Sequence, residues 1–199
     1  LPRLDAAGLS LNYQAADSGP PKAVDVAGTA KRLLATDFDA TVTLTFPGGK
    51  SVAASARDML HAEDGKAKTW LCGPVVVEWL LAGPLVDSAR HADPDMAVQF
   101  QVRYYPESGH ARVSVVVEKC SDQGSDGGVV YDVVIQRGHA RREIVFEQKD
   151  VRHCDLMRWR KVFSWGAGGE PAQVNPRMDV EAMIAAAVIP PYDTSLQVP

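Results

Sequence analysis

Cysteine is scarce in this chain of 199 residues: Cys72, Cys120 and Cys154 are the only three, and they are widely scattered. An odd, scattered set is no disulfide framework; one bridge plus a free thiol is the most it allows. Basic excess is missing too. The formal net charge is -4, which argues against a general nucleic-acid binder, since that function needs a basic face to neutralise phosphates. No apolar run approaches the ~20 residues that a membrane-spanning helix requires. The chain opens at Leu1 without a basic n-region or an apolar h-region, so we expect no signal peptide within this stretch, which says nothing about the full gene product. It stops as abruptly, at Thr194-Ser195-Leu196-Gln197-Val198-Pro199, and we expect a piece of something longer or one subunit of an assembly. Internal repeats and low-complexity tracts are absent. So are the crossover helices that a parallel α/β sheet would need.

What is present is a composition that can bury a core. Hydrophobic residues make up 46%, ordinary for a globular protein and incompatible with wholesale disorder. The length suits one large β domain or two small ones.

The most informative stretch runs from Met96 to Lys119. Val98, Phe100, Val102 and Tyr104 alternate with Gln99, Gln101 and Arg103. Pro106, Ser108 and Gly109 interrupt, and Val113, Val115 and Val117 resume the alternation. Two period-two runs around turn residues predict a β-hairpin. Thr41 to Phe46 predicts a second one, with Val42, Leu44 and Phe46 on one face, Pro47-Gly48-Gly49 as the turn, and 51–56 pairing back.

Thr69 to Leu81 reads as a long strand carrying a bulge, bend or edge position at Gly73-Pro74, because proline cannot donate to a ladder. The stretch 83–95 reads as a loop. Val129, Tyr131, Val133 and Ile135 form a further strand, returned by Glu143 to Glu147 after a turn at Arg137-Gly138-His139. Arg158 to Trp165 is the last strand. It sets Trp159, Lys161, Phe163 and Trp165 on one face and Arg158, Arg160, Val162 and Ser164 on the other.

Outside these runs, residues 1–36 read as an irregular N-terminal arm, with one short strand at Leu9, Leu11 and Tyr13. Asp58 to Lys68 reads as an exposed connection. Near the C-terminus, Asp179 suits an N-cap. Val180, Met183, Ile184, Ala187 and Val188 follow it on one helical face, until Pro190-Pro191 stops the helix. The sum is about eight to ten strands in hairpin order. The expected fold is mainly β, an antiparallel β-sandwich or barrel with one short C-terminal helix. The arm (1–36), the β domain (37–176) and a helix with a Pro-rich tail (177–199) divide the chain, the tail leading toward a possible further domain.

No catalytic motif stands out. Asp37-Phe38-Asp39-Ala40-Thr41 spells the Asp-x-Asp-x-Thr signature of haloacid-dehalogenase-type phosphatases. That chemistry belongs at the tip of a parallel strand followed by a helix, whereas an alternating β run follows here. The motif is therefore read as a polar turn before a strand. His153, Cys154 and Asp155 are adjacent, but the chain has no Cys-x-x-Cys or His-x-x-x-His spacing, and we expect no metal site and no cofactor. His61, His91, His110 and His139 fall in expected loops or turns. Cys154 has no histidine placed to activate it, because neighbours on a strand point to opposite faces.

Two features point to binding. Glu78 stands in an otherwise apolar strand, either as half of a structural ion pair or lining a cleft. Arg152, His153, Arg158, Trp159, Arg160, Lys161, Phe163 and Trp165 form the densest cluster of cationic and aromatic residues in the chain. Guanidinium forks bind carboxylates, and Arg with Trp also anchors protein interfaces, while the plainer alternative has indoles facing a core and arginines facing water. The expected ligand-binding residues are Trp159, Arg158, Arg160, Trp165 and Glu78; no catalytic residue is assigned.

Leu71-Cys72-Gly73-Pro74-Val75-Val76-Val77-Glu78-Trp79, the hairpin after it, and Arg158-Trp159-Arg160-Lys161-Val162-Phe163-Ser164-Trp165 together resemble a known pattern. It is the N-terminal RIFT-barrel-type β domain of bacterial proteins related to exo-rhamnogalacturonan lyases. The resemblance runs from about Thr69 to Asp193 and is one of strand pattern. It implies a β module that recognises or positions a polysaccharide or oligosaccharide, ahead of a helical toroid that would start near Val188-Ile189-Pro190-Pro191-Tyr192-Asp193. An extracellular, periplasmic or virion-associated setting would suit it. The alternatives are a structural assembly subunit (phage tail, capsid or surface layer) that forms homo-oligomers, and a polysaccharide lyase or hydrolase.

Overall fold

The computed structural model describes residues 23–62, 67–121, 128–166 and 179–188. The strand expected at Leu9–Tyr13, most of the 121–128 and 166–176 loops, and the Pro190-Pro191 stop lie outside these residues.

Alternating apolar residues in hairpin order wind into one antiparallel sheet. In chain order the elements are α1 (Val26–Leu34), β1 (Ala40–Thr45), β2 (Ser51–Ser55), α2 (Ala56–Ala62), β3 (Thr69–Cys72), β4 (Val77–Val86), β5 (Ala92–Tyr105), β6 (His110–Lys119), β7 (Val129–Arg137), β8 (Glu143–His153), β9 (Arg158–Trp165) and α3 (Val180–Ala185). The strand order is β8-β7-β1-β2-β4-β5-β6-β9, and β3 pairs β4 off this path. The sheet curls into a nearly closed barrel. Its two end strands, β8 and β9, lie side by side across a seam bridged by side chains. Lys161 sits 4.2 Å above the Phe146 ring, and Arg137 Nη1 donates to the Ser164 carbonyl at 3.0 Å.

The mainly β class and the antiparallel barrel therefore follow the period-two reading. The hairpin at 96–119 pairs in unbroken register from Met96 with Lys119 to Tyr105 with His110. Val98, Phe100, Val102, Val113, Val115 and Val117 all point inward, beside Val42, Leu44, Trp79, Tyr131 and Ile135. Burial of such side chains stabilises by about 1.5–3 kcal/mol each.

Several elements depart from expectation. The run from Thr69 to Leu81 is two strands: Gly73 N–H donates to the Val76 carbonyl, and β3 folds back antiparallel on β4, so Gly73-Pro74 is a hairpin turn. The stretch 83–95, expected as a loop, is mostly strand, because β4 and β5 continue to a tight turn at 87–91. Two helices stand where an irregular arm (1–36) and an exposed connection (Asp58 to Lys68) were expected. α1 is N-capped by Asp25, whose side chain accepts from Gly28 N–H, and buries Thr29, Ala30 and Leu33. α2 buries Ala56 and Leu60 and carries His61. Both sit at the barrel end where β1 begins and β2 ends, and Leu33, Phe38 and Leu60 join the core there. α3 has its expected N-cap, Asp179, but none of its side chains is buried among the described residues.

Candidate binding cleft

The carboxylates of the Asp37-x-Asp39-x-Thr41 run are committed to the backbone. Asp37 accepts from the N–H groups of His139, Ala140 and Arg141 and so holds the β7–β8 turn. The Ala140 N–H, helped by the other two and by the nearby His139 ring, holds its carboxyl below the usual carboxylate range against the opposing effect of desolvation. Asp39 is buried and accepts from Ser55 Oγ at 2.8 Å and from Arg57 N–H at 3.1 Å. Ser55 Oγ in turn accepts from Asp58 N–H, capping α2. The Arg57 guanidinium donates to the Leu34, Thr36 and Phe38 carbonyls, closing the C-terminal end of α1. The run is the polar turn that its β context indicates, and it fastens both helices to the barrel.

The residues expected to bind a ligand do not form one site. Glu78 is buried and paired to Arg103, Nε to Oε2 2.7 Å. Its carboxylate, hydrogen-bonded to Arg103, raises that guanidinium above its ordinary range. Trp159 and Trp165 are partly buried against the core. The Trp159 indole donates to Tyr131 OH at 2.7 Å, and Trp165 stands edge-on to Phe38 with centroids 5.5 Å apart. Arg158 and Arg160 face outward, and Arg158 reaches Glu118 only at 3.6 Å. Among the described residues, no three His, Cys, Asp or Glu side chains are grouped to hold a metal ion. All three cysteines are free and exposed.

A concavity lies elsewhere, where β2 and β4 diverge. These strands share a single bridge, Ala53 with Val86. The Leu80 N–H points to the Lys68 carbonyl on the same side of β4. Alternation along a strand turns the Ala82 backbone groups that way too, into a cleft of about 1210 Å³. Met59 of α2 borders it and packs against Gly83, where an added Cβ would come within 3.2 Å of the Met59 methyl. Small residues (Ala53, Ala54, Ala62, Ala82, Gly83) leave the space open, and Thr41, Thr43, Ser51, Ser55 and Gln136 give it a polar side. The Thr41 Oγ1 atom is buried and has no hydrogen-bond partner among the described residues.

The charges along this cleft divide by commitment. Asp39 is used as described. Asp87 accepts from the Ala89 and His91 N–H groups, and the His91 backbone bond leads in holding its carboxyl below the usual range. Asp58 is the remaining acid. Lys68, Arg90 and Arg142 also line the cleft, are exposed, and have no ion-pair or side-chain hydrogen-bond partner among the described residues. On an acidic chain, the uncommitted charge of the cleft is thus mainly positive.

None of these residues formed a sequence motif. They come from β1, β2, α2, β4, β7 and three turns, so only the fold gathers them. The one local hint was the run of small residues Ala53-Ala54 and Ala82-Gly83 within strands that otherwise favour bulk.

The fold and the cleft define a class: a nearly closed antiparallel barrel, plugged at one end by two helices, with a polar cleft where its sheet splits. No family model, curated protein or solved structure matches the chain.

Proposed function

We propose that this barrel is a non-catalytic module that recognises or positions a complex polysaccharide within a larger protein, and that the β2–β4 cleft is its binding site. One observation carries this reading: a cleft of about 1210 Å³ lined by hydroxyl, amide and cationic groups, in which Thr41 Oγ1 and the side chains of Lys68, Arg90 and Arg142 have no hydrogen-bond partner among the described residues. A hydroxyl-rich ligand needs donors and acceptors of this mixed kind, fixed on a rigid frame. The resemblance of the strand pattern to RIFT-barrel-type domains points the same way. Binding is favoured over hydrolysis because glycosidases work with two carboxyl groups, and Asp58 is the cleft acid left without another task. On this reading recognition lies in the cleft, and Trp159 and Trp165 act as supports of the barrel.

The test is isothermal titration calorimetry across neutral and acidic oligosaccharides. Binding is expected, and Arg142→Ala or Gln136→Ala should weaken it, the arginine change by about ten-fold, as for loss of one charge-assisted hydrogen bond. No binding across the panel would overturn the reading.

A second reading, an assembly subunit, is favoured by one surface. Trp70, 68% exposed, and Leu71 lie on the short edge strand β3, and Val75, 64% exposed, lies in the turn that follows it. Exposed apolar edge strands mark pairing sites. Light scattering after size exclusion separates the two: a defined multimer that Trp70→Ser dissolves supports assembly.

A further inference from the structure

The β8–β9 turn, at the barrel end opposite the helices, presents Leu156 and Met157 to solvent at 67% and 58% exposure. Leu156 adopts φ 56, a left-handed conformation that a leucine rarely takes. The turn is nonetheless held firmly. The Lys119 backbone N–H donates to the Met157 carbonyl at 3.0 Å. His153 Nε2 meets the same carbonyl at 2.8 Å. The Lys119 ammonium, its side chain 1% exposed, pairs with Asp155 at 3.0 Å. A strained turn kept in place by a buried cation and two backbone contacts marks an apolar tip that is presented by construction.

Arginines stand behind this tip. Arg152 precedes the turn and Arg158 follows it. Arg160 shares the outward face of β9 with Arg158, and Val130, 40% exposed, lies cross-strand from Arg152. Arg152 and Arg160 have no ion-pair partner among the described residues. The sequence marked this segment as its densest cluster of cationic and aromatic residues. The structure turns the indoles inward and leaves the guanidinium groups outside.

We propose that this turn is a shallow anchor for an anionic lipid bilayer, with Leu156 and Met157 entering the interface and Arg152, Arg158 and Arg160 meeting lipid phosphates. Area decides against a protein partner. Two side chains offer roughly 200 Å² of apolar surface, well short of the roughly 800 Å² per partner of a stable protein interface. A convex apolar tip with cations set back from it matches the layering of a membrane surface, where acyl chains lie below the headgroup charge. The net charge of -4 opposes long-range attraction, so binding depends on contact through the tip. The inference is independent of the polysaccharide reading.

The experiment is flotation of the full chain with vesicles of phosphatidylcholine alone and with 30% phosphatidylglycerol, about the anionic fraction that sets a substantial surface potential. Binding to the anionic vesicles only is expected, weakened by salt. Leu156→Asn with Met157→Gln should reduce it by at least about ten-fold. Asparagine tolerates the left-handed conformation and the turn's anchoring bonds use backbone atoms, so this variant keeps the fold. Arg152→Gln with Arg160→Gln should reduce partitioning about five-fold per arginine. Absence of flotation, binding unchanged in the Leu156/Met157 variant, or a tip-dependent dimer in place of vesicle binding would each overturn the proposal.

Discussion

The indole N–H of Trp159 on β9 donates to the hydroxyl of Tyr131 on β7 at 2.7 Å, inside the barrel behind the β8–β9 seam. The Tyr131 hydroxyl also meets His153 Nδ1 at 2.7 Å. Indole nitrogen only donates and a carbonyl only accepts, so the tyrosine accepts from Trp159 and, with Nε2 turned to the Met157 carbonyl, its O–H donates to Nδ1 of the neutral ring. His153 Nε2 must then carry hydrogen, and it donates to the Met157 carbonyl at 2.8 Å. This relay fastens β7, β8 and β9 where the backbone ladder between the end strands is missing.

Tyr131→Phe removes the centre of the relay and strands the buried His153 Nδ1 and the partly buried Trp159 N–H. The expected loss is about 2 kcal/mol of folding stability, read as a lower midpoint in urea with an unchanged slope. Nitrogen NMR of wild-type protein should report the Nε2-protonated tautomer of His153, and a mixture of tautomers in Tyr131→Phe.

High pH should release the same lock. Burial outweighs the opposing Trp159 hydrogen bond and pushes the Tyr131 phenol up to about 12. The unfolded phenol ionises near 10, so the stability from this group is complete below about pH 10 and is lost as pH rises toward 12, by about 2–3 kcal/mol. Ultraviolet titration should show a late tyrosine step near pH 12, and Tyr131→Phe should remove it.

Low pH acts at the other end of the barrel. The Asp37 carboxyl is depressed, chiefly by the Ala140 N–H. Its contribution is therefore present above the unfolded carboxylate value, near 3.9, and is lost as pH falls through the folded value. Asp37→Asn should melt below wild type at pH 7 and converge with it in strong acid. Amide hydrogen exchange at His139, Ala140 and Arg141 should speed up in the variant.

The Glu78–Arg103 pair is the case where isosteric and truncating changes diverge. Glu78→Ala leaves Arg103 without its partner inside the β4–β5 ladder, and about 2 kcal/mol should be lost, less than for a wholly buried pair because Arg103 is part-exposed. Glu78→Gln keeps an acceptor for Arg103 Nε and should lose about half as much. Chemical denaturation checks both values, and oligosaccharide affinity should be unaffected by either, since neither residue lines the cleft.

Much of the fold was legible because period two survives in the letters. Val98 to Tyr104, Val113 to Val117 and Thr41 to Phe46 each announce a strand with one buried face, and the structure buries those faces. Helix α1 was legible in principle, since Val26, Ala30, Leu33 and Leu34 follow the N-cap Asp25 at helical spacing inside the stretch expected as an irregular arm. Helix α2, with only Ala56 and Leu60 buried, offers no such stripe, and its stability comes from docking on the barrel end. Glu78 could be read as an ion pair or as a cleft residue, and only its opposite number on β5, twenty-five positions away, selects the pair.

By itself the sequence determined that this chain folds as antiparallel ribbons, since alternation of apolar and polar side chains admits one buried face per strand. It also determined which β9 residues share a face, because neighbours on a strand point to opposite sides. Which face turns inward was a tertiary decision: curling the sheet until β8 meets β9 draws Trp159 and Trp165 to the core and leaves the arginines outside. The cleft was tertiary as well, because a gap between β2 and β4 arises from how two distant strands diverge, and no local pattern records that divergence.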